Sequence, residues 1–181
     1  MDPARPEANT SPPVTVVDIR EAIGSLIILW SHVEREFQQA NATLSTPSEE
    51  LCASKAINLW QTLHTERATL PIQTVVAARF LSRIEEARRL RNGISHSFQG
   101  YSADPFGHGH PAELYYKSGK KTVTVPYRQV QRTITDLARA SFVLGRLTWA
   151  AANVDLPGKA EVIVEIGHDL DRIAMEHPGT I

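Results

Sequence analysis

Apolar residues recur at three- and four-residue spacing through most of the chain, and that period constrains the fold more than any other feature. Ile19, Ala22, Ile23, Leu26, Trp30, Val33 and Phe37 form one such series, and Val76, Ala77, Phe80, Ile84 and Ala87 form another. At about 100° per residue each series falls on one stripe of an α-helix. Arg91 lies in the middle of the second stripe. A guanidinium on an apolar face is costly to bury unless something pairs with it. Glu34 and Glu36 of the first helix, or Glu85 and Glu86 nearby, would supply an ordinary structural partner for it.

The start and stop signals divide the chain into five helices. Asp18 with Glu21 three residues on resembles a capping box, which starts a first helix reaching about Thr43. Ile27, Ile28 and Leu29 give that helix more apolar surface than one packing face needs, enough for a further helix or a subunit partner. Thr46-Pro47-Ser48-Glu49 starts a second helix running to about Ala68, with Cys52, Ala56, Leu59, Trp60 and Leu63 on one side. Pro71 opens a third helix, which the Asn92-Gly93 pair is expected to end.

Residues 99–112 are rich in Gly, Pro and His and read as a loop. A β-hairpin follows over Glu113–Val125, turning at Ser118-Gly119. Pro126 opens a fourth helix to about Asn153, in which Gly145 would let another helix approach. The fifth helix runs from about Lys159 to Glu176, before a stop at Pro178-Gly179. Trp30, Trp60 and Trp149 lie on or beside three helical stripes and are expected in the core. The fold class expected is all-α, an antiparallel bundle of about five helices with a small β-hairpin between the third and fourth. Residues 1–14, with four prolines, read as a disordered tail, and 15–178 as a single domain with 99–125 as its insertion.

Composition excludes some classes of function. A net charge of −1 provides no global field toward nucleic acid or anionic lipid, so any such contact must come from a local patch. Lone Cys52 cannot form an internal disulfide, which points to a reducing compartment. No apolar run is long enough to span a bilayer, and no signal-peptide core precedes the first helix. The expectation is a cytoplasmic protein without membrane contact.

Arg91-Asn92-Gly93-Ile94-Ser95-His96 matches the Arg-(Asn/Asp/His)-x-x-x-His signature of the HEPN superfamily, and its place near the end of a long helix in a helical chain is similar too. The resemblance implies a homodimer in which Arg91, Asn92 and His96 of both chains line one cleft. Many members of that superfamily are metal-independent ribonucleases of toxin–antitoxin, phage-defence and RNA-processing systems; others are non-catalytic binding modules or antitoxin partners. It therefore implies RNA and a possible antitoxin or other protein as partners, and no cofactor.

The chemistry suits these residue types. Cleavage of RNA by its own 2′-hydroxyl needs a base, an acid and a fixed cation beside the phosphorane. Histidine can serve as either proton-transfer group, and arginine's planar fork fits phosphate oxygens. One His96 per chain supplies one such group, and a two-fold dimer supplies two. Asn92 would orient the histidine or the helix end.

Arg88, Arg89, Lys117, Lys120, Lys121 and Arg128, with Arg132, could form a local phosphate-attracting surface, although solvated helix faces and lysine-protected sheet edges look the same in sequence. Tyr115, Tyr116 and Tyr127 lie among them and could stack on bases or simply cover a core. His108 and His110, with His96 or Asp104, offer a weaker metal-site alternative. The sequence leaves open both current catalytic competence and a non-catalytic, dimerising module.

Overall fold

The structure is a computed structural model describing residues 13–45, 51–104, 106, 108, 110–155 and 157–175. It contains helices α1 (Val16–Leu44), α2 (Ala53–Arg67), α3 (Pro71–Ser97), α4 (Tyr127–Ala152) and α5 (Lys159–Met175). Strands β1 (Phe98–Ser102), β2 (Glu113–Ser118) and β3 (Lys121–Pro126) lie between α3 and α4. They form an antiparallel sheet in the order β1-β2-β3. The protein is thus mainly helical with one small sheet. None of the helices described is long and apolar enough to cross a membrane.

The stripes read from sequence form the core. Ile19, Ala22, Leu26, Trp30, Val33 and Phe37 of α1 pack with Val76, Phe80, Ile84 and Ala87 of α3, and with Val130, Leu137, Leu144 and Ala151 of α4. Ile163, Ile166 and Leu170 of α5 complete it. Trp60 sits at its centre, edge-on to Phe37 at 5.7 Å and to Phe80 at 6.2 Å. Its indole N–H donates to Thr148 Oγ1 at 2.9 Å, which satisfies the one polar group of a fully buried ring.

Polar contacts set the order of the helices. Gln129 Nε2 donates to Glu86 at 3.1 Å and Arg83 to Asp136 at 3.0 Å, so α3 and α4 run antiparallel. Arg146 meets Glu165 at 2.5 Å and Asp169 at 3.9 Å, while Arg83 bridges Asp136 and the Leu170 carbonyl, so α4 and α5 are antiparallel as well. Tyr127 Oη donates to the Asp18 carbonyl at 3.3 Å, so α1 and α4 both begin at the sheet end and run the same way. α3 ends there too. The sheet, the end of α3 and the starts of α1 and α4 thus make one pole of the molecule.

Several local expectations are corrected. Thr15, not Asp18, is the N-cap of α1. Its hydroxyl accepts from the Asp18 N–H at 3.2 Å, and the Asp18 carboxylate accepts the Thr15 N–H at 2.7 Å. The Thr15 hydroxyl also donates to the Asp18 carboxylate at 2.7 Å, and this bond, with that from the Thr15 N–H, holds the Asp18 carboxyl below its ordinary pKa. α2 begins at Ala53, with Cys52 exposed at its N-cap, rather than at Pro47; the Thr46-Pro47-Ser48-Glu49 signal lies outside the described residues.

Asn92-Gly93 does not end α3, which continues to Ser97. Residues 99–112 are not all loop, since β1 pairs with β2. Trp149 is 41% exposed rather than buried. A Cβ added at Gly145 would meet nothing within 4 Å, so none of the described helices uses the approach it offers. Of the expected tail, Pro13 and Val14 are described, and Val14 pairs with Asp104 through two backbone hydrogen bonds. Residues 1–12 and the stop at Pro178-Gly179 lie outside the described residues.

Candidate functional site

The continuation of α3 decides the geometry of the Arg91–His96 segment. Because Gly93 is helical, Asn92 and His96 are separated by one turn and share a face. Asn92 is half-buried and His96 exposed. Arg91 projects toward the core stripe beside Ala87 and Ile94, yet it is only half-buried. Its Nη1 donates to Asn92 Oδ1 at 3.1 Å. Its Nε is buried without a hydrogen-bond partner, and among the described residues Arg91 forms no ion pair.

The carboxylates that could have neutralised Arg91 are engaged elsewhere. Glu34 accepts from Trp30 Nε1 at 2.6 Å, and Glu36 faces His32 at 3.7 Å. Glu86 accepts from Gln129. Glu85 takes two bonds from Arg88, at 2.7 and 2.8 Å, and lies 3.4 Å from Arg89. The Arg88 hydrogen bonds hold the Glu85 carboxyl below its ordinary pKa, and the same bonds raise that of Arg88. Arg88 is therefore clipped to its own helix, while Arg89 stays 70% exposed.

Tyr116 fixes the end of α3 against the sheet. A Cβ at Gly93 would overlap the Tyr116 ring, so the glycine serves a close approach by β2 rather than a helix stop. One turn on, Ser97 Oγ lies 2.7 Å from the Lys117 carbonyl and 3.1 Å from that of Gly93. These contacts place exposed Lys117, Lys120 and Lys121 of the hairpin at the same pole as His96, with exposed Arg128 at the start of α4.

The three tyrosines named from sequence are already occupied. Tyr116 covers Gly93. Tyr115 Oη donates to Glu113 at 3.1 Å, and Tyr127 to the Asp18 carbonyl. Burial, with Asp18 nearby, raises the Tyr127 pKa. Aromatics that stay partly open here include Phe98 and Tyr101 of β1 and, at 78% exposure, Phe106, all in or beside the segment read as loop. A Phe followed within three residues by Gly and Tyr was the available signal.

His108 and His110 are exposed, with ring centroids 6.4 Å apart, and the His108 N–H donates to Asp104 Oδ1 at 2.9 Å. Among the described residues no three His, Cys, Asp or Glu side chains gather as a metal site. Comparison of the chain with models of protein families, with curated proteins and with solved structures returns no match.

Proposed function

We propose that the protein is a metal-independent endoribonuclease of HEPN type, acting as a homodimer in which Arg91, Asn92 and His96 of two chains line one cleft. The observation that carries this reading is an arginine without an ion pair among the described residues, fixed by Asn92 next to an exposed histidine one turn further on. A cation left uncompensated at a surface is available to a phosphate. The lysines of the hairpin at the same pole add local positive charge to a chain whose total is −1. In the cleft, one His96 takes the 2′-hydroxyl proton and its two-fold mate protonates the departing 5′-oxygen, while Arg91 neutralises the phosphorane. The attack forms a 2′,3′-cyclic phosphate. No proton-transfer step needs a metal ion. The setting would be cytoplasmic, in a toxin–antitoxin or phage-defence pair.

The direct test is incubation of the wild type and His96→Ala with single-stranded RNA in the presence of a chelator. Cleavage by the wild type alone is expected. Intact RNA with the wild type, or equal cutting by the variant, ends the enzymatic reading.

A non-catalytic module that dimerises or docks a protein is the second reading. It is favoured by Ile28 of α1 at 70% exposure and Phe142 of α4 at 61%. It predicts a stable complex and no RNA cleavage.

A further inference from the structure

The second half of α1 and the start of α2 wall a cavity of about 760 Å³, on the part of α1 away from the sheet pole. Small-molecule sites are of this size, about 300–1,000 Å³. Glu34, Arg35, Gln38 and Asn41 of α1 line it together with Cys52 and Ala53. Three of these side chains offer acceptors. Asn41 is 5% exposed; its Nδ2 donates to the Ala56 carbonyl at 2.9 Å, and its Oδ1 is buried without a hydrogen-bond partner. Gln38 Nε2 donates to the Leu51 carbonyl, which leaves its amide oxygen to accept. Glu34 takes a bond from Trp30 on one oxygen and keeps a second. The wall thus holds a buried acceptor that no described residue supplies with a donor.

The same cavity offers groups for an anion. Arg35 is exposed and forms no ion pair among the described residues. Cys52 is the N-cap of α2 and gives no side-chain bond to that helix, so N–H groups of the first turn are left for an acceptor. A carboxylate suits both. The Cys52 thiol itself is exposed. No aromatic ring belongs to the described lining, so a nucleobase would have nothing to stack on. Ammonium and amide donors for Asn41, Gln38 and Glu34, carboxylates for Arg35 and α2, and a sulfur for Cys52 are together the groups of a small zwitterionic peptide thiol.

We infer that this cavity recognises such a peptide and that Cys52 is S-thiolated by its disulfide. Cys52 gives up its proton and attacks one sulfur of the incoming disulfide. The old S–S bond breaks as the new one forms, and the other half leaves as a thiolate that takes up a proton. The disulfide is the sole oxidant, and excess thiol reverses the step. The inference goes beyond the ribonuclease reading and does not depend on it.

The test is the reaction of the full reduced chain with glutathione disulfide, the adduct being followed by intact-mass spectrometry. Hydroxyethyl disulfide, which is uncharged, is the reference. In folded protein the glutathione disulfide rate divided by the reference rate should exceed the same ratio in urea-unfolded protein by about tenfold. Cys52→Ser should give no adduct. Arg35→Gln should lower the ratio about threefold to tenfold and leave the reference rate unchanged. Asn41→Leu should lower it as well; if that variant lowers the melting midpoint, Gln38→Leu replaces it, with the same loss expected. Equal ratios in folded and unfolded protein would mean an exposed thiol that any disulfide meets, and would overturn the inference. A ratio untouched by Arg35→Gln and by the amide variant overturns it too. RNA cleavage by the wild type is read in its own assay and bears on neither outcome.

Discussion

The ring of Tyr116 in β2 lies against the backbone of Gly93 in α3, so closely that a Cβ at residue 93 would overlap it. This contact joins the sheet to the helix that carries Arg91, Asn92 and His96. Helix propensity alone favours alanine over glycine by about 1 kcal/mol. The overlap outweighs that gain, so Gly93→Ala should destabilise the protein by about 1–3 kcal/mol in chemical denaturation. In a Tyr116→Ala background the same substitution should be neutral or stabilising, because the clash is gone while the propensity gain remains. Equal losses in the two backgrounds would refute the contact.

His64 predicts an acid-sensitive core. It is buried in α2, stacked on Trp60 at 4.8 Å, with Nε2 3.3 Å from the Gln73 amide nitrogen. Burial, helped by the Lys159 charge, lowers its pKa from 6.5 to about 4. The folded state thus favours the neutral ring and the unfolded chain binds the proton first. The contribution is complete above pH 6.5 and is lost as the pH falls through about 4, at most about 3 kcal/mol in all. His64→Leu should lower stability at neutral pH but flatten the pH dependence between 6.5 and 4, measured by urea titration at each pH. A slope unchanged by the substitution would remove His64 from the account.

Asp136 and Arg83 form a pair with 13% and 17% of their side chains exposed, and Arg83 also donates to the Leu170 carbonyl at 2.6 Å. Burial raises the Asp136 pKa despite the guanidinium. The pair ties three helices together, so Asp136→Ala should cost about 3 kcal/mol, as removal of one partner leaves the other charge uncompensated. Replacement of both residues with apolar ones should cost less than Asp136→Ala alone. A loss in the double variant as large as or larger than that of Asp136→Ala would contradict this.

The parts of the fold that were legible in the sequence are those set by neighbours a few residues apart. The α1 stripe from Ile19 to Phe37, the Pro71 start of α3 and the Ser118-Gly119 turn are all local, and all are present. Two of the failures have distant causes and one is local. Asn92-Gly93 looks like a stop because its reason, Tyr116, is 23 residues away in the chain. β1 has no alternating pattern of its own and exists because β2 offers it an edge. Thr15 and Asp18 are both good caps, three residues apart, and the reciprocal bond between them selects Thr15. For the site, the identities of Arg91, Asn92 and His96 were readable, but their relative placement depended on whether the helix continued through Gly93.

The claim most open to a single measurement is that two chains share one cleft. Wild type and His96→Ala are mixed in equal amounts, allowed to exchange subunits, and assayed for RNA cleavage with chelator present. If each cleft needs both histidines, only wild-type homodimers cut, and activity per total protein falls to about one quarter of the unmixed wild type. Activity of about one half would mean that each chain acts alone, and would contradict the shared cleft.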